Sequence, residues 1–120
     1  KITTLDVNGQ TLIVPGQPGL IGDIVRVRIR SRDVMVSPLR VNTHITENQL
    51  EGIITNIYTE KDTAFSELII NLKNSKINKK SQLLRARITT YNLNKMKIAE
   101  NKKVFIYISS VSIDRQAYQY

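Results

Sequence analysis

Few groups in this chain could do chemistry, and their spacing decides more by exclusion than by pattern. Residues 26–32 read RVRIRSR, an arginine at every second place, which is the spacing that lines one face of an extended strand. A row of guanidinium groups can meet phosphates and other oxyanions. The same arginines can equally lay their stems over apolar neighbours and keep their heads in water. With Val25, Val27 and Ile29 on the other side, the row is first of all the wet face of a half-buried strand. His44 is the single histidine and cysteine is absent, so disulfides and thiolate metal sites are excluded and one imidazole cannot build a zinc centre. No histidine stands with a carboxylate and a nucleophile at a usable spacing, which argues against an enzyme. The glycine-rich stretch 15–22, PGQPGLIG, lacks the lysine and hydroxyl that would make it a phosphate cradle. Ser109, Ser110 and Ser112 interrupt an otherwise apolar run, and because buried hydroxyls need partners they are expected to line a subunit interface.

These residues must be positioned by strands. The dominant sequence period is two. Residues 2–7 and 11–14 flank Asn8-Gly9, the dipeptide suited to a tight hairpin. Further strands are expected over 24–30, 34–37 (ended by Pro38), 50–58, 67–72, 83–89 and 104–113. A polar loop with Lys73, Lys76, Lys79 and Lys80 around it fills 74–81 as a soluble tip. One or two helical turns fit 90–96, with Thr90 as the cap and Leu93 and Met96 facing inward. The 104–113 run is apolar on both faces through Phe105 and Tyr107, which predicts burial by another chain or lobe and hence a homodimer. Many short antiparallel strands with one brief helix before the last predict an all-β fold, a small barrel of the oligonucleotide/oligosaccharide-binding type.

The chain has 120 residues, 41% of them hydrophobic, enough for one core or two small lobes sharing strands. No stretch has the roughly 18 apolar residues of a membrane span, and the first residues lack a signal peptide's apolar core; a soluble chain is expected. Lys1 in place of a methionine, with a strand starting almost at once, predicts a piece of a longer protein. The formal net charge is +8, enough to attract anions. Residues 1–43 carry six basic and three acidic groups, and residues 44–120 carry twelve and seven. Charge spread in this way fits a solvated surface at least as well as a phosphate-tracking groove. A nucleic-acid-binding barrel is the alternative reading, weakened by a 6% aromatic content that offers few stacking platforms.

In order and spacing, GDIVRVRIRSRDVMVS, ENQLEGIITNIY, LLRARITTYNL and VFIYISSVSID resemble the C-terminal region of the ATP-binding subunit of molybdate ABC importers. The resemblance covers about residues 5–114. It implies accessory strands over 1–42, a Mop-type (transport-associated, TOBE-like) barrel over 43–115 and a tail over 116–120. The function it implies is regulation and dimerisation of a transporter ATPase, cytoplasmic and peripheral to the inner membrane. The partners would be a second copy, the rest of the ATPase subunit and, through it, the permease, with no membrane insertion of its own. No GxxxxGK[ST] stretch is present, so ATP and magnesium would belong to a domain outside these residues. The family's oxyanion site, which takes molybdate or tungstate, falls on Thr46, Asn48, Thr89, Ser109 and Ser110. Glu47 stands where the family has a cation, and Ser109 stands where it has a lysine. Two positive charges near a dianion have thus become one negative and one neutral group, a change of several kcal/mol at an effective dielectric of about 20. Weak or absent binding is the expectation.

Overall fold

The computed structural model describes residues 2–16, 19–41, 48–74, 81–109 and 112–113, the last two through their backbone. Residues 75–80 of the loop expected over 74–81, His44, Thr46, Glu47, Ser110 and the expected tail lie outside the described residues. Strands β1 (Ile2–Val7) and β2 (Gln10–Pro15) form an antiparallel hairpin. Its turn has φ of 53° at Asn8 and 93° at Gly9. Asparagine and glycine adopt that left-handed pair most readily.

The arginine row departs from expectation. Exposed Arg26, Arg28 and Arg30 do alternate with half-buried Val25, Val27 and Ile29. Among the described residues, however, only β3 (Val27–Arg28) of this run is paired, with β9 (Ser112–Ile113). Alternation sets which side is wet, whereas a ladder also needs a neighbour along its length. A 3-10 turn, Ser31–Asp33, leads into β4 (Val34–Ser37). The remaining strands are β5 (Asn48–Thr59), β6 (Phe65–Leu72), β7 (Leu83–Thr89) and β8 (Lys103–Ile108), with helix α1 (Thr90–Lys95) between β7 and β8. The N-cap of α1 is Thr89, not Thr90: its hydroxyl accepts the Asn92 N–H at 3.2 Å.

One antiparallel sheet carries the fold, in the order β4-β8-β5-β6-β7. Strand β5 serves two neighbours, β8 along Asn48–Ile53 and β6 from Gly52 to Thr59. The register shift between Ile54 and Asn56 is a bulge, which bends a strand and increases its twist. At Gly52 an added Cβ would stand 2.6 Å from Ile70 Cγ2 and 2.8 Å from the Asn71 carbonyl, so a side chain does not fit at this crossing. The far edge, β7, packs against β4 and the 3-10 turn, curling the sheet into a barrel. Thus β4, expected among the accessory strands, is a strand of the barrel sheet.

Inside lie Leu50, Ile54, Leu68, Ile70, Ala86, Ile106 and Ile108, joined by Val34 and Val36 from β4, Leu12 and Val14 from the hairpin and Leu93 from the helix. Ser66, fully buried, satisfies its hydroxyl with the Thr59 and Thr90 hydroxyls at 3.3 and 2.9 Å. The two-sided apolarity of 104–108 has an internal cause. Strand β8 is central, and Tyr107 on its second face is only 3% exposed within the single chain. Its hydroxyl accepts from the Val41 N–H at 2.6 Å and donates to the Val41 carbonyl at 3.2 Å. The apolar strand therefore does not require a second copy.

Candidate functional site

Three of the five expected oxyanion residues are described. Asn48 and Ser109 come together at one end of the β5–β8 pair, because Asn48 is in register with Ile108 and Ser109 follows it. Thr89 belongs to β7, and its hydroxyl caps α1.

Each of these polar groups has structural work. The Asn48 side-chain amide behaves like a peptide unit, its Oδ1 accepting the Ile13 N–H at 2.7 Å and its Nδ2 donating to the Ile13 carbonyl at 2.9 Å. Gln10 reciprocates from the hairpin: its Oε1 accepts the Glu51 N–H at 2.7 Å, and its Nε2 donates to the carbonyls of Glu51 and Lys73 at 3.0 Å each. This happens where β5 has run past the end of β6, so two primary amides complete a ladder that backbone alone leaves open. Ser109 donates twice to the Asp33 carbonyl, from its N–H at 3.0 Å and its hydroxyl at 3.2 Å.

Arg30 is paired with Asp33 at 3.0 Å. Arg87, a cation neighbouring Thr89 in sequence, is turned to Glu60 at 3.3 Å and lies over the Phe65 ring at 4.2 Å. The described part of the site therefore offers amide and hydroxyl groups already engaged within the chain, and Arg30 and Arg87 are turned to carboxylates.

A denser electrostatic centre, which sequence reasoning missed, sits on the outer face of the sheet. Glu51 is met by Arg40 at 2.8 Å on Oε1, and by Lys73 at 3.3 Å and Lys103 at 3.6 Å on Oε2. The Oε2 contacts are ion pairs without hydrogen-bond geometry. Burial pushes the Glu51 carboxyl up, but Lys73, Lys103 and Arg40 together outweigh it and hold the group below its ordinary value of 4.5. The three cations are far apart in sequence, so no local spacing announced them. The register that places Phe105 opposite Glu51 is what gathers them.

No family model matches the chain. Over 114 residues, 94% of its length, it is 25% identical to the molybdenum import ATP-binding protein ModC of Haemophilus ducreyi, and it spans 30% of that protein. Among solved structures its fold is similar to that of the cytoplasmic molybdate-binding protein ModG crystallised with molybdate, with a TM-score of 0.57 and 12% identity over 73% of this chain and 60% of that one. The barrel expected from period-two patterning is therefore the observed fold, and along nearly its whole length the chain is similar in sequence to part of a molybdenum-import ATP-binding protein.

Proposed function

We propose that this chain is a regulatory and dimerising portion of the ATP-binding subunit of a molybdate or tungstate importer, working at the cytoplasmic side of the membrane beside its permease. The observation that carries the reading is the relationship to ModC along 94% of the chain, and the ModG-like barrel is consistent with it. Among the described residues no helix is long and apolar enough to cross a membrane.

In this reading residues 43–115, with β4 and the hairpin completing their sheet and core, are the oxyanion-binding unit, and Thr46, Asn48, Thr89, Ser109 and Ser110 mark the position of its site at a subunit interface. The site has lost most of its affinity. Glu47 and Ser109 replace cations, Asn48 and Ser109 are engaged within the chain, and Arg87 is turned to Glu60. The domain's present role is then structural coupling to the ATPase rather than sensing.

Calorimetric titration with molybdate and with tungstate tests this. The wild-type chain is expected to give no saturable heat at micromolar anion, while Glu47→Arg combined with Ser109→Lys gains affinity by about 100-fold or more, since each cation contributes several kcal/mol at close range. Micromolar binding by the wild type would show an intact site. No gain in the double variant would remove the oxyanion site from these residues.

A further inference from the structure

The Glu51 centre makes the outer face of β4, β8 and β5 a surface with a definite chemical preference. Three cations share one carboxylate, so two positive charges remain in surplus. The carboxylate lies on the inner side, 16% exposed, whereas the side chains of Arg40, Lys73 and Lys103 are all more than half exposed. A group arriving from solvent thus meets the cations before the anion. The lowered titration of Glu51 reports the same positive field.

The face is also apolar. Register places Met35 opposite Tyr107, Phe105 opposite Glu51 and Ile53 opposite Lys103, and Met35 and Ile53 are at least half exposed. The Phe105 ring carries Arg40 at 4.8 Å and Lys103 at 5.2 Å from its centroid, which holds both cations against the sheet. Aromatic, methionine and arginine side chains are the ones enriched at protein interfaces. A free dianion would gain little here, because cations this exposed are screened by water and salt. A chain that brings carboxylates and apolar side chains together uses both properties of the surface.

We propose that the face formed by Arg40, Lys73, Lys103, Phe105, Met35 and Ile53 is a docking surface for an acidic polypeptide segment with interspersed apolar residues. It is separate from the oxyanion site and does not depend on the importer reading.

The test is a titration of the full chain, with methyl groups of Met35 and Ile53 observed by NMR. The probes are a synthetic peptide of glutamates interrupted by leucines, its lysine-for-glutamate counterpart, oligothymidine and inorganic phosphate. Saturable shifts at Met35 and Ile53 are expected with the glutamate peptide, weakening as sodium chloride is raised. Arg40→Gln and Lys103→Gln, whose folding is checked by amide dispersion, are each expected to weaken that binding about tenfold. Silence with the glutamate peptide, or equal response to the lysine peptide, overturns the proposal. So do shifts of the same size with oligothymidine or phosphate, which would mark a simple counterion surface, and binding that survives both substitutions.

Discussion

Two residues show how a polar group earns its place on this barrel. Tyr107 is buried yet holds both backbone groups of Val41. Tyr107→Phe leaves that N–H and carbonyl without their partner at a cost of about 1–3 kcal/mol, to be measured as a shift in urea midpoint. Glu51 makes a pH-dependent contribution with a definite sign. Its folded-state value lies below the ordinary 4.5, so the unfolded chain takes up its proton first as acid is added. The stabilisation is complete above the unfolded value and is lost as pH falls through the folded one. Glu51→Gln is therefore expected to destabilise the chain at neutral pH and to flatten the fall in stability below about pH 4.5, as read from urea unfolding at several pH values. Asn48 and Ser109 teach a different lesson about legibility. Their types suited an anion, and the fold does bring them together, but their commitments to Ile13 and Asp33 involve partners 35 and 76 residues away. No reading of neighbouring positions exposes such bonds.

At the scale of elements, the strands and the helix follow period and propensity closely, and the departures have physical causes. Residues 24–30 alternate as a strand should, and among the described residues their pairing lies at Val27–Arg28, since alternation reports which side is wet and not how far a partner runs. The run 104–108 reads as doubly apolar, which a central strand with Val41 held over its second face explains without another chain. The amide clasp between hairpin and barrel is likewise invisible to patterning, since glutamine in a strand normally signals nothing more than a wet position. Gln10→Ala strips the side-chain partner from the Glu51 N–H, while the Glu51 carbonyl keeps the Lys73 N–H at 2.8 Å, so faster hydrogen exchange is expected at Glu51 and across β2 than across β6, with a loss of about 1–3 kcal/mol. Gly52→Ala must push a backbone carbonyl and is expected to cost about 1–3 kcal/mol as overpacking, seen as a lowered melting temperature.

For the whole molecule, the hairpin and β4 are indispensable to the barrel. They supply Leu12, Val14, Val34 and Val36 to the core, each contributing about 1.5–3 kcal/mol when buried. A total net stability of about 5–15 kcal/mol does not survive their loss. Residues 43–120 expressed alone are expected to show the narrow amide dispersion of an unfolded chain, and a well-dispersed spectrum would mean that some other segment can replace β4. Light scattering on the full chain addresses association: among the described residues the core leaves no apolar strand demanding a mate, so the proposed dimer forms through other surfaces. The position of β4 also has a kinetic meaning. Val34 meets Ile108 and Val36 meets Ile106, so β4 cannot find its place until β8, far behind it in the chain, has left the ribosome. Closure over such a separation is slow compared with hairpin formation. Until it happens the nascent chain carries an unsheltered ribbon of valines, and the neighbouring arginines become its means of staying dissolved.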